Sequence, residues 1–146
     1  MKHLLIILSL FLFSSIFISC SKSSDDNTTN SPWTKQLGTS SDDWGNDVTT
    51  DSSGNIYVTG DTLGGLDGNT NSGFEDISLI KYNSSGTKQW TKQLGTSSTD
   101  YGSGVSTDSS GNIYVTGSTS GELDGNTHFG DRDIFLVKFS SSGTKQ

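Results

Sequence analysis

Alanine is absent from this chain, and proline, cysteine and methionine occur once each. Without alanine, and with Ser, Thr, Gly, Asn and Asp dominating, the sequence is not that of a helical bundle. One cysteine, Cys20, excludes an intrachain disulfide framework and any cysteine-rich metal site. Histidine is nearly missing as well, with only His3 and His128 available. Positive charge is scarce: 9 Lys and Arg stand against 16 Asp and Glu, a net charge of -7. Such a chain cannot neutralise a phosphate backbone, which argues against nucleic acid as a partner. Its acidity serves solubility. Apolar residues make up only 29%, well under the usual share of a globular chain. Most of those beyond the N-terminus are β-branched or aromatic, so short strands joined by polar turns are expected.

The longest apolar run lies at the N-terminus. Lys2 and His3 precede Leu4–Ile18, which is interrupted only by Ser9, Ser14 and Ser15. A basic start followed by an apolar middle is the secretory pattern, and the run is short for a membrane span. Phe17-Ile18-Ser19-Cys20 resembles a bacterial lipobox, with Phe17 where leucine is usual. The resemblance implies that residues 1–19 are a lipoprotein signal peptide. It also implies that Cys20 carries the lipid, which makes the membrane a partner and the cell envelope, at the outer membrane, the address. Several acyl chains on one cysteine anchor stably where a single chain does not. An ordinary signal peptide with an incidental cysteine is the alternative. Residues 20–32 are polar and read as a flexible tether. Lys22 with Asp25-Asp26 resembles the short acidic signals that send some lipoproteins to the cell surface.

The rest of the chain says one thing twice. Residues 90–146 repeat residues 33–89 at a constant offset of 57, with 41 of 57 positions identical. Trp33-Thr34-Lys35-Gln36-Leu37-Gly38-Thr39-Ser40-Ser41 recurs unchanged from Trp90. Each copy breaks into four strand-like runs, in the first copy Gly45–Asp51, Asn55–Thr62, Asp76–Asn83 and Thr87–Leu94. The polar stretches Asp51–Asn55 and Ser84–Gly86 are tight turns. Near-continuous apolar content in the second and third runs predicts burial on both faces. Four antiparallel strands in a repeat of this length is the pattern of a propeller blade.

Asn55-Ile56-Tyr57-Val58-Thr59-Gly60, Asp76-Ile77-Ser78-Leu79-Ile80-Lys81-Tyr82 and Ser85-Gly86 resemble the bacterial SBBP-type β-propeller repeat. So do Asn112–Gly117, Asp133–Phe139 and Ser142-Gly143 in the second copy. The resemblance implies an all-β fold of two four-stranded antiparallel blades, an incomplete propeller, and is almost silent on activity. Repeat 1 spans 33–89 and repeat 2 spans 90–146, the latter with its last strand truncated. The leading run Trp33–Thr39 is in phase with a fourth, outer strand. It can complete a last blade only across a closed ring or from another molecule. Self-assembly, or further blades of a longer propeller, is therefore expected of a two-blade chain.

The short turns share one end of the blades, and the loops Thr39–Trp44 and Leu63–Glu75 share the other. Of the 16 differences between copies, 11 lie in or beside those longer loops. Loops on a rigid frame are the usual binding surface, although loops also drift when little constrains them. Trp44 and Tyr101 are the candidate ligand-stacking residues at this end, beside the acidic Asp42, Asp43, Asp67 and Asp124. Trp33 and Trp90, recurring at one strand position, are expected to pack between strands. Asp67-Gly68-Asn69-Thr70-Asn71 begins like a calcium loop, but Ser72 and Ser78 stand where glycine and glutamate are needed. The copy at Asp124 replaces Asn71 by His128. No metal or cofactor is therefore expected. A Ser-His-Asp arrangement would require His128, which the first copy lacks. Neighbouring carboxylates at Asp42-Asp43 and Glu75-Asp76 point apart in extended chain and do not make a glycosidase pair. The sequence reads as a non-catalytic binding or scaffold module. The alternative is a fragment of a larger propeller, such as a glycan-acting enzyme with its catalytic residues outside this chain.

Overall fold

Ile56-Tyr57 and Ile113-Tyr114 open each copy's second strand just past an Asp-Ser-Ser-Gly-Asn turn, and the turn sets that strand's position. In the computed structural model, which describes residues 32–146, Asp51 Oδ1 accepts the backbone N–H groups of Ser53 and Asn55, both at 2.9 Å. Its Oδ2 accepts Asn55 Nδ2 at 2.8 Å and the Tyr57 hydroxyl at 3.0 Å. Asp108 repeats all four contacts. Gly54 and Gly111 supply the positive φ that such a turn needs. The expected signal peptide, Cys20 and nearly all of the expected tether lie outside the described residues.

Four strands form the first blade: β1 (Asp43–Thr50), β2 (Ile56–Thr62), β3 (Asp76–Tyr82) and β4 (Lys88–Leu94), paired antiparallel in sequence order. The second blade has β5 (Asp100–Thr107), β6 (Ile113–Thr119) and β7 (Asp133–Phe139). Its fourth strand is represented by one bridge, Phe139 to Lys145. The architecture is thus all-β, with sheets of four and three strands that do not close. The innermost strand begins two residues before the sequence-based start at Gly45, so Asp43 and Trp44 are strand residues rather than loop residues. A bulge at Asn46 interrupts the β1–β2 ladder, and one at Ser103 interrupts β5–β6.

Each blade has a leading and a trailing face. The trailing face of blade 1 carries Tyr57, Ile77 and Leu79, 0%, 3% and 1% exposed. It packs on the leading face of blade 2, where Val105, Ile113, Val115, Phe135, Val137 and Phe139 are buried. Trp90 and Leu94 of β4 close the edge of this core. The Trp90 ring lies 6.1 Å from that of Tyr57, tilted by 51°. Trp90 also lies over the turn glycine Gly143 of the next blade, and Trp33 lies over Gly86 in the same way. Trp90 therefore joins blade to blade, and Trp33 holds the leading segment to blade 1. Expected two-sided burial holds for β3, buried without a break from Asp76 to Ile80, but β7 alternates between buried and exposed. The difference is one of neighbours. Blade 1 has blade 2 on its trailing face, whereas Ile134 and Leu136 on the trailing face of blade 2 are 89% and 70% exposed.

Candidate functional site

At the long-loop end the carboxylates hold backbone. Asp43 Oδ2 accepts the Thr39 N–H at 2.6 Å and the Thr39 hydroxyl at 3.2 Å, while its Oδ1 takes the Thr62 hydroxyl. Asp100 does the same for Thr96 and Thr119 and is fully buried. Thus Asp43, offered by the sequence as a ligand residue, clips the entry loop to the end of β2. Asp42 is exposed, and its main-chain carbonyl receives the Leu63 N–H at 3.0 Å.

Asp67 and Asp124 stand apart from this end. Single 3-10 turns, Leu66–Gly68 and Leu123–Gly125, fold each long loop back over its blade, burying Leu66 and Leu123. Both aspartates adopt positive φ, 53° and 54°. Asp67 pairs with Lys88 and also accepts the Thr91 hydroxyl. These two contacts hold its carboxyl below the ordinary value. Asp124 pairs with Lys145. Asn71 turns its amide onto the carbonyls of Leu63, Gly73 and Phe74. Among the described residues no three His, Cys, Asp or Glu side chains converge as a metal site.

Trp44 pairs with Asp61 across the β1–β2 ladder, is 44% exposed, and borders an apolar cleft of about 430 Å³ lined also by Val48, Val58, Leu66, Ile80 and Trp33. Tyr101 occupies the equivalent place on blade 2, half-buried, with the Arg132 guanidinium 4.9 Å from its ring centroid. The two aromatics therefore belong to successive blades and do not form one aromatic platform. His128 Nδ1 sits 3.0 Å from Asp133, whose carboxylate also receives the Phe129 N–H at 2.6 Å.

Two features have roles that the sequence did not assign. Asp76 is fully buried; Oδ2 accepts Gln93 Nε2 at 3.0 Å and the Ser72 N–H at 2.8 Å, while Oδ1 has no partner. Burial pushes its carboxyl up, Gln93 and Ser72 only partly oppose that, and the nearby Asp100 adds to it. The second feature joins the blades near their inner strands. Asn46 Nδ2 donates to Asp61 Oδ1 at 2.6 Å and to the Gly102 carbonyl at 2.9 Å, and Asp47 Oδ2 accepts the Val105 N–H at 2.8 Å. Burial raises the Asp61 carboxyl, the Asn46 hydrogen bond opposes this, and Glu75 reinforces it. Positions 46, 47 and 61 all differ between copies. Their divergence was the available signal, and it marks contact between blades rather than ligand contact.

The profile of the SBBP beta-propeller repeat matches residues 33–67 and 89–124, one match opening each copy, so the repeat is of this type. No curated protein matches the chain.

Proposed function

We propose that this protein is a non-catalytic binding or scaffold module, exported and held at the outer membrane of a bacterial envelope by lipid on Cys20. The observation that carries the reading is the use made of the acidic side chains. Asp43, Asp51, Asp67, Asp76, Asp100 and Asp108 each hold a loop, a turn or a neighbouring strand. Chemistry at a carboxylate requires one presented to substrate with a tuned partner. What the frame presents instead is rigid blade surface. Trp44, open on the mouth of its cleft, is the stacking residue in this reading.

The test has two arms. Wild-type chain and Cys20→Ala are expressed with labelled palmitate and fractionated. Label and membrane retention are expected for wild type alone, and membrane retention of the unlabelled Cys20→Ala protein refutes the anchor. Chitooligosaccharides and cellooligosaccharides are titrated against tryptophan fluorescence, with quenching expected in wild type and lost in Trp44→Ala. Turnover of either sugar by the purified chain overturns the non-catalytic reading, and quenching that survives Trp44→Ala removes Trp44 from it.

A further inference from the structure

The two outer faces of the chain are the same pair that already meets inside it. Ile134 and Leu136, bare on the trailing face of blade 2, occupy the positions of Ile77 and Leu79, which are buried between blades. Val48, Val58 and Ile80 on the leading face of blade 1 occupy the positions of Val105, Val115 and Val137. The space between the faces makes the same point. Inside the chain Lys92, Leu94, Val115, Phe135, Val137 and Phe139 form walls that Ile77 and Leu79 fill, leaving about 10 Å³. The corresponding walls at the outer face include Lys35, Leu37, Val58, Ile80 and Tyr82, and there the cleft is about 430 Å³. It lacks the two side chains that the other end of the molecule exposes.

Strand pairing and charge agree. Leu37 and the residues before it from Trp33 form no sheet ladder, yet they lie on blade 1 as β4 lies on blade 2: Trp33 on Gly86 as Trp90 on Gly143, Thr39 on Gly64 as Thr96 on Gly121. Their sequence is identical to Trp90–Leu94. The outer edge of β7 borders a cleft of about 610 Å³ that also runs along Leu123, Asp124 and Asn126, where blade 1 has β4 in the same place. Across the inner joint the Thr99 hydroxyl donates to Glu75 at 2.9 Å. At the outer faces those two positions are Asp42 and Arg132, both exposed and opposite in charge.

We infer that copies of this chain join head to tail. The trailing face of blade 2 of one copy packs on the leading face of blade 1 of the next. The next copy's Trp33–Leu37 pairs with β7 as its fourth strand, so that an open edge is capped by strand addition. Shifting the β3–β4 register by one repeat pairs Leu37 with Ile134, Lys35 with Leu136 and Trp33 with Lys138. A head-to-tail joint whose rotation closes makes a ring, and propellers of about four to eight blades correspond to two to four copies. The joint has Ser103 and Gly104 in place of the inter-blade residues Asn46 and Asp47. It is therefore weaker than the inner one, and assembly depends on concentration. This goes beyond the module reading, and its test does not involve Cys20 lipid or sugar.

The full chain carrying Cys20→Ser, in detergent micelles, is examined by native mass spectrometry and by disulfide trapping. Lys35→Cys with Leu136→Cys is expected to give reducible bands of two or more chains. Leu79→Cys with Lys92→Cys, the same register inside blade 1, is expected to close within one chain and shows that the blade is folded. Asp42→Arg alone and Arg132→Asp alone each weaken association about tenfold, as like charges across a joint do, and the double reversal restores it. Ile134→Lys, at a fully open position, abolishes association without unfolding the chain. A monomer throughout the micromolar range with the internal control closed overturns the inference. So does association in which Lys35→Cys and Leu136→Cys fail to link, or in which the double reversal fails to rescue.

Discussion

Gln93 and Gln36 occupy equivalent positions in identical nine-residue sequences, yet replacing them with alanine has different expected outcomes. Gln93 Oε1 accepts the Leu66 N–H at 2.9 Å, and its Nε2 donates to Asp76 Oδ2 and the Gly64 carbonyl, each at 3.0 Å. Counting three lost partners at about 1–3 kcal/mol each would give a very large loss. Blade 2 supplies the correction. There, among the described residues, no glutamine reaches the Leu123 N–H, which turns to the Gly121 carbonyl at 3.0 Å. Leu66 has the same retreat open to Gly64. What cannot be recovered is the Nε2 donor to Asp76, a buried carboxylate already lacking a partner on Oδ1. The expected loss for Gln93→Ala is therefore about 2–3 kcal/mol. For a domain of this size that corresponds to a melting point lower by roughly 10–15 °C. Removing the donor raises the Asp76 carboxyl further. Protonation then relieves part of the loss, so the difference from wild type shrinks as pH falls toward the carboxylate range. Gln36 is exposed, and Gln36→Ala leaves the melting point of the dilute chain unchanged. Urea and thermal unfolding of both variants at neutral and mildly acid pH is the assay. A Gln93→Ala loss within about 0.5 kcal/mol of zero, the range of ordinary surface substitutions, refutes the reasoning. So does a loss independent of pH, or equal losses for the two glutamines.

Two further outcomes follow from the same geometry. A Cβ on Gly60 would fall 1.8 Å from the Trp44 carbonyl oxygen across the bulge, so Gly60→Ala forces main-chain movement and costs about 3 kcal/mol; Gly68→Ala, with open space but φ at +79°, costs about 1–2 kcal/mol, and the ranking is read from urea midpoints. Stability against pH has two limbs. Asp61 and Asp76 are raised above the ordinary 3.8, so their burden lifts as pH falls through their folded values toward 3.8, and stability rises there. Asp51 is lowered, burial being outweighed by donors from Asn55, Tyr57 and Ser53, and Asp108 is lowered chiefly by Asn112. Their contribution is full above 3.8 and is lost as pH falls through the folded values. At the alkaline end Tyr57, pushed up to about 12 by burial and by Asp51, contributes stability present below 10.0 and lost as pH rises through the folded value. The acid-side maximum should flatten in the Asp61→Asn, Asp76→Asn double variant, and a profile unchanged by that variant contradicts the assignment.

The strands and turns were legible because their signals are local. Apolar alternation and the Asp-Ser-Ser-Gly-Asn turn are read within a few residues, and Asp51 makes its four contacts within six positions of itself. The roles of the loop acids were not legible. Asp42 and Asp43 are neighbours in an acidic loop, and nothing local says that the second clips Thr39 to Thr62, 19 positions along. That contact depends on strand register. Asp67 looked like a residue of the loop end, yet the 3-10 turn carries it down the blade to Lys88 and Thr91, 21 and 24 positions away. Divergence between copies, taken alone, pointed to loops and ligands. Register shows that positions 46 and 47 of the first copy face the second.

Nearly identical copies differ most in burial. Leu79 is 1% exposed and its equivalent Leu136 is 70% exposed, although the residue, strand and register are the same. Burial in a repeat is thus a property of the pair of blades, and the same strand sequence reads as interior or surface according to what stands beside it. This bears on the choice between ligand site and joint at the long-loop end. A ligand surface would be expected to vary freely between copies. Here positions 42 and 75 vary together across a joint: Thr99 meets Glu75 inside the chain, whereas Asp42 and Arg132 are the outer counterparts. Drift would have no reason to leave opposite charges on the two faces that correspond to one contact. In the head-to-tail proposal positions 42 and 75 are accordingly joint positions, whereas position 44, where Trp44 stands, remains the ligand candidate.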